Sequence, residues 1–267
     1  MSSQRDKVDA FHRLHAEGCF VMPNPWDIGS AVALADMGFA ALATTSSGHA
    51  WTRGRADGGV PLDEELQHLR ELAAAVDVPL NGDFQGGFAD EPDHVGANVK
   101  LAAATGIAGL SIEDSTGDAD EPLYPLDLAV ERVRAARRAI NESGTGILLT
   151  GRSEGFIVGR PDLDETIRRL VAYAEAGADC LYPPGITTAE EIAAVVAAVA
   201  SKPVNLLVYA PVTTVAEAAA LGVRRISVGG TLAKTAWAGF LAAAEEIAMD
   251  GTFTHFGGLP NVDSTFS

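Results

Sequence analysis

Cysteine is nearly absent from this 267-residue sequence. Cys19 and Cys180 are the only two, too few for a disulfide framework and suited to a reducing cytoplasm. Basic side chains are also scarce, 19 against 36 acidic ones, for a formal net charge of −17. That deficit argues against a nucleic-acid partner, because such binding draws its affinity from Lys and Arg on phosphates. It still allows a small anionic ligand, since a site can be locally positive inside an acidic protein. No run of about 18 apolar residues occurs, so neither a membrane span nor a membrane partner is expected. Residues 192–200 are short and Ala-rich, and read as a buried helix. The opening residues Met1 to Lys7 carry no apolar segment of the kind a signal peptide needs. Extended disorder is excluded, because 47% of the residues are hydrophobic, enough to bury a core without disulfides or a structural metal. A cytoplasmic protein is expected.

Short β-branched or Leu-rich runs alternate with Ala-rich stretches of helical period, the pattern of βα units and a mainly parallel sheet. Eight strands are predicted, at 19–23, 40–44, 79–83, 109–113, 146–152, 180–182, 204–208 and 225–228. They start roughly 29 residues apart, as an α/β (β/α)8 TIM-type barrel of this length requires. Helices are predicted at 62–75, 95–105, 125–141, 163–176, 188–200 and 215–221, and one begins near Thr231. Four joints of helix, Gly and strand recur at Gly38, Gly106, Gly177 and Gly222, where Gly supplies the left-handed helix cap. A doubly wound open sheet is the competing architecture; the count of eight favours closure. The expected organisation is one domain over 1–267, with the barrel at about 11–249 and a C-terminal arm at 250–267. Phe253, Phe256 and Phe266 of the arm are expected to pack on the barrel or on a neighbouring subunit.

Function in such barrels gathers at the C-terminal ends of the strands. Strand three ends Asn81-Gly82-Asp83-Phe84-Gln85, strand four Ser111-Ile112-Glu113-Asp114-Ser115, and strand five Thr150-Gly151-Arg152-Ser153-Glu154. Asp83 and Glu113 should therefore stand at one level on neighbouring strands, with Asp57 reaching over from the preceding loop. Converging carboxylates repel unless a cation lies between them, and oxygen-only ligands favour Mg²⁺ or Mn²⁺ over Zn²⁺. Arg152 is placed to hold a substrate carboxylate bidentately. Ser46, Ser47 and Gly48 offer hydroxyl and N–H donors to an anionic group. His49, in the loop after strand two, is an acid–base candidate, as are Tyr124 and Tyr182. His12, His15, His68 and His94 fall in helices and read as surface or packing residues. Asp27 and Asp114 suit turn or cap roles as well as chemistry, Cys180 reads as a small core residue, and Gly229-Gly230 can cradle an anion.

These residues together resemble the isocitrate lyase/phosphoenolpyruvate mutase superfamily, in its phosphoenolpyruvate mutase-like branch. The resemblance runs from about residue 11 to 249. It rests on Asn24-Pro25-Trp26-Asp27, Thr44-Thr45-Ser46-Ser47-Gly48, Asp57-Gly58, Asp83-Phe84-Gln85-Gly86-Gly87, Gly109 to Asp114, and Arg152-Ser153-Glu154. It implies a barrel, Mg²⁺, a 2-oxo or 2-hydroxy carboxylate substrate, and a homodimer or homotetramer that exchanges its last helix. It further implies that Asp83 and Glu113, backed by Asp57, hold the metal, and that Ser46, Ser47 and Gly48 bind the substrate carboxylate. Arg152 would bind the reacting end, with Trp26 and Asn205 as further substrate contacts.

The departures narrow the chemistry. The family's second metal-site acid is Gln85 here, an uncharged ligand. The Lys-Cys-Gly-His loop of the isocitrate-type lyases is missing after strand four, where the segment is Ser115-Thr116-Gly117-Asp118-Ala119-Asp120-Glu121-Pro122. The Lys and Asn by which mutases and phosphonate hydrolases handle phosphoryl groups are missing there too. The expected function is an Mg²⁺-dependent carbon–carbon lyase or decarboxylase working through an enolate. A P–C bond enzyme and a carboxylate-binding barrel without turnover are the alternatives.

Overall fold

The chain is seen in a computed structural model that describes residues 2–266. Eight strands are present: β1 (Phe20–Met22), β2 (Leu42–Ala43), β3 (Leu80–Asp83), β4 (Gly109–Glu113), β5 (Leu148–Arg152), β6 (Cys180–Tyr182), β7 (Asn205–Leu207) and β8 (Arg225–Ser227). The helices are α1 (Gln4–Ala16), α2 (Ile28–Asp36), α3 (Ser46–Thr52), α4 (Leu62–Ala75), α5 (Pro92–Ala103), α6 (Leu126–Ser143), α7 (Leu163–Glu175), α8 (Ala189–Ala198), α9 (Val215–Ala220) and α10 (Thr231–Asp250). All pairings between these strands are parallel, in the orders β2-β3-β4-β5-β6 and β1-β8-β7. Backbone bonds span both gaps between the two ladders. Leu181 N–H donates to Pro203 O at 2.9 Å, and Ala43 N–H to Pro23 O at 3.1 Å. The result is a curled parallel β/α sheet.

Residue parity decides what each face of the sheet does. Leu80, Leu110, Leu149, Leu181, Leu206 and Ile226 are buried within the apolar core. Their strand neighbours Asn81, Ser111, Tyr182, Asn205 and Ser227 line a central cavity, and Thr150 bonds Arg225 of that cavity through Oγ1 at 3.1 Å. The N-terminal end of that interior is plugged by Phe11 and His15 of α1 with Phe20, three rings in edge-to-face contact. All four predicted Gly joints adopt positive φ, 88° at Gly38, 98° at Gly106, 106° at Gly177 and 89° at Gly222. A Cβ at Gly177 would also meet Arg137 Cγ at 2.7 Å.

Several boundaries differ from those read in the sequence. The fifth strand starts at Leu148 rather than 146, because Gly146 turns with φ 70°. The expected loop after strand two is instead the start of α3, capped by Thr45 Oγ1, which accepts from Gly48 N–H at 3.4 Å. Asp27 is an N-cap, closing a capping box with Ser30 at the head of α2. The arm carries two short 3₁₀ turns, Thr254–Phe256 and Val262–Thr265, and its three phenylalanines stay more than half exposed on the single chain. Helix α10 buries only Ala233, leaving Trp237, Phe240, Leu241 and Met249 exposed. Among the described residues, no helix is long and apolar enough to cross a membrane.

Candidate active site

The C-terminal ends of β3, β4 and β5 bring together the acids and the arginine that the sequence singled out. Arg152 Nη1 lies 3.2 Å from Asp83 Oδ1 and 3.1 Å from Glu113 Oε2. Its other edge is gripped by Glu154, through Nη2 to Oε2 at 3.1 Å and through Nε to Oε1. The Tyr182 ring lies 5.2 Å from the guanidinium carbon. The Arg152 side chain keeps 17% exposure, so these pairs are weakly screened but remain reachable from the cavity. Ser46 N–H donates to Asp83 Oδ2 at 3.0 Å, while Asp83 N–H donates to Thr44 Oγ1 at 2.8 Å. The first turn of α3 is thereby tied to the end of β3.

Negative charge exceeds positive charge here. Burial, followed by the charges of Glu154, Asp83 and Asp57 acting against the pull of Arg152, pushes the Glu113 carboxyl well above the usual carboxylate range. Burial also raises the Glu154 carboxyl. The Asp57 carboxyl, on an exposed loop, is raised by desolvation and then by Asp83, with Ser46 and Gly58 as hydrogen-bond donors. Arg152 is held charged by Glu113, Glu154 and Asp83 in spite of burial.

Arg152, Ser46 and Asp57 line two adjoining recesses. One, of about 380 Å³, runs down the inside of the sheet past Asp83, Ser111 and Asn205 to Arg225. The other, of about 460 Å³, is lined by Gln85, Glu113, Glu154 and Tyr124. Gln85 has a positive φ of 48°, and its carbonyl accepts from Glu113 N–H at 3.0 Å. Tyr124 donates to Asp90 Oδ1 at 2.5 Å, and its hydroxyl is pushed up to about 12 by burial and that bond. Ser47 faces the first recess beside Gly229, Gly230 and Lys234.

Three predicted residues stand elsewhere. His49 is buried, bonded through Nδ1 to Glu65 Oε2 at 2.9 Å and stacked on His68 at 3.7 Å. Its place on the α4 side of α3 carries it away from both recesses, which the loop expected there had hidden. Gly48 is buried, and its N–H is committed to the Thr45 cap. A Cβ at Gly48 would sit 2.8 Å from Trp26 Cβ; Trp26 packs against this helix and lines neither recess. Asn205 does line the first recess, but its amide bonds Ser227 Oγ at 2.9 Å and Arg225 Nε at 2.8 Å.

Residues 11–248 match the sequence profile of the phosphoenolpyruvate phosphomutase family. The chain belongs to that family, within the isocitrate lyase/phosphoenolpyruvate mutase superfamily. A crystallised Burkholderia cenocepacia J2315 protein, provisionally called a lyase/mutase, is 47% identical, with TM-score 0.95 over 98% of this chain and 97% of that one. The structure of 2,3-dimethylmalate lyase is 26% identical, with TM-score 0.85 over 100% of this chain and 94% of that one. An uncharacterized protein of Mycobacterium tuberculosis is 32% identical over 82% of this chain and 81% of its own length. The superfamily consists of enzymes, and its C–C lyases are among this chain's relatives.

The superfamily's use of a divalent cation can be tested on the donor set. Asp57, Asp83, Glu113 and Glu154 surround one guanidinium, so a hard cation would offset charge that Arg152 leaves unbalanced. All the donors are oxygens, which suits Mg²⁺. Among the described residues, no three His, Cys, Asp or Glu side chains form a ready ligand cluster; Arg152 Nη1 occupies the gap between Asp83 and Glu113. The donor chemistry of this family member therefore fits the ion.

The sequence reading left Asp114 between a turn or cap role and chemistry, and gave Arg225 no role. Asp114 accepts from Glu154 N–H at 2.7 Å and from Tyr173 O–H at 2.5 Å, and pairs with Arg169 at 3.2 Å. It fixes the backbone that carries Glu154.

Proposed function

We propose that this protein is a cytoplasmic carbon–carbon lyase or decarboxylase acting on a small 2-oxo or 2-hydroxy carboxylic acid, in a closed barrel. The observation that carries the reading is Arg152, held by Glu154 from behind and facing Asp83 and Glu113 at the mouth of a cavity. With its Nε–Nη2 edge held by Glu154, the Nη1 side of the guanidinium can turn from Asp83 and Glu113 to a carboxylate once those acids face a cation. Ser46 and Ser47 supply further donors from the first turn of α3. Asp83, Glu113 and Asp57 would hold Mg²⁺ or Mn²⁺, which supplies positive charge to an oxyanion when bound. The walls of the recess limit water around the reacting carbon, and Tyr182 and Glu154 keep the Arg152 plane in place. Of the predicted acid–base candidates, Tyr124 lines the second recess and Tyr182 lines the first, beside Arg152.

The matching family profile favours a second reading, P–C bond chemistry. Asp118, Asp120 and Glu121 in the segment after β4 weigh against it, because they would repel a phosphonate. The exposed apolar side of α10, continuous with Phe253 and Phe256 of the arm, supports a homodimer or homotetramer in which this helix is exchanged. Pyruvate release from oxaloacetate and substituted malates, with and without EDTA, tests the catalytic reading. EDTA-sensitive release is expected. Turnover of phosphonopyruvate alone would give the site to P–C chemistry, and binding without any turnover would leave a carboxylate-binding barrel.

A further inference from the structure

We propose that Arg225 forms an anion subsite at the floor of the central cavity, built to receive the distal carboxylate of a dicarboxylic substrate. The substrate class rests on the function proposed above; the subsite rests on the interior of the sheet. Arg225 is 1% exposed and lines the same recess as Arg152. Its partners are all neutral: Asn205 Oδ1 at 2.8 Å, Thr150 Oγ1 at 3.1 Å and His15 Nε2 at 3.2 Å. His15 Nδ1 faces Phe11 O at 2.8 Å. Burial and the neighbouring Arg225 lower the imidazole to about 3, so His15 is a neutral acceptor here. Among the described residues, no carboxylate pairs with Arg225.

A buried cation without a counter-charge is costly, and it persists where function needs it. Five N–H groups belong to a guanidinium, and three are used, which leaves two for a ligand. Asn81 gives an independent sign that the shaft is built for a guest. It is 3% exposed, lines the same recess, and its Oδ1 has no partner, so it awaits a donor such as a substrate hydroxyl. Arg225 bonds Thr150, two residues before Arg152 on β5. At about 3.3 Å per residue the two levels lie roughly 7 Å apart, a step that a four-carbon diacid can bridge. The two arginines differ in the way this division of labour requires: protein acids already surround Arg152, and none meets Arg225.

The test compares malate with 2-hydroxybutyrate, which differ only in a distal carboxylate against a methyl group. Binding is measured calorimetrically with Mg²⁺ on the full chain. The wild type should bind malate about tenfold tighter or more, Arg225→Met should bring the two within about twofold, and Arg225→Lys should keep part of the preference. No preference in the wild type, or a preference unchanged by Arg225→Met, overturns the subsite. If Arg225→Met does not fold, malate-soaked wild-type crystals decide. A malate carboxylate on the Arg225 guanidinium supports the proposal, and malate bound elsewhere overturns it. Because the readout is binding, an Arg225-dependent preference without turnover sinks only the catalytic reading. Turnover with a preference indifferent to Arg225 sinks only the subsite.

Discussion

The two faces of the curled sheet obey opposite rules. Outward, Leu110, Leu149 and Leu181 are fully buried among aliphatic neighbours. Inward, on the same strands, Ser111, Glu113 and Arg152 face polar space, and Thr150 bonds the Arg225 guanidinium. Closed α/β barrels usually fill their interiors with bulky branched side chains. Here the outer face provides the stability and the inner face is released for binding. Substitutions one residue apart on a strand should therefore fail in different ways.

Arg152→Met should have the largest effect. It strips the cation from Glu113, Glu154 and Asp83, abolishing turnover and destabilising the fold by about 3–5 kcal/mol at neutral pH. The raised carboxyls of Glu113 and Glu154 take up protons readily, so the stability loss should shrink as pH falls; urea unfolding at two pH values measures it. Leu110→Ala, on the outer face of β4, should cost about 2–5 kcal/mol through the cavity it leaves. Its turnover below the melting temperature should stay near that of the wild type. Equal damage to activity from both variants would erase the contrast between the faces.

The smallest effect belongs to a polar cluster outside both faces. Burial and His49 lower the His68 imidazole from 6.5 to about 3, and His68 Nε2 is an orphan. A histidine depressed in the native state binds fewer protons there than when unfolded. Stability is therefore lost as pH falls from 6.5 toward 3, with a slope of at most about 1.4 kcal/mol per pH unit. His68→Phe should flatten that part of the profile, as seen by unfolding between pH 7 and 5.

The alternation that separates the two faces is readable in Ser111-Ile112-Glu113 and Asn81-Gly82-Asp83, so the strand ends and the Asp83, Glu113 and Arg152 cluster follow from the sequence. The start of α3 does not. Ser46-Ser47-Gly48 are poor helix formers, and only the Thr45 cap and the tie to Asp83 make them helical. His49 was misplaced as a consequence, since its partners Glu65 and His68 are set by packing of α3 on α4. Arg225 was missed because β8 is three residues long, too short for its parity to be read. Glu154 stands in a recognisable run with Arg152, but its grip on the guanidinium depends on Asp114 fixing the backbone from a different strand end.

The central claim is that the inward acids at the ends of β3 and β4 form a divalent-cation site beside Arg152. Calorimetric titration of Mg²⁺ into the wild type and into Asp83→Asn tests it most directly. Binding to the wild type that weakens about tenfold or more in the variant is the predicted result. Identical titrations for the two proteins, or no Mg²⁺ binding to either, would contradict the claim.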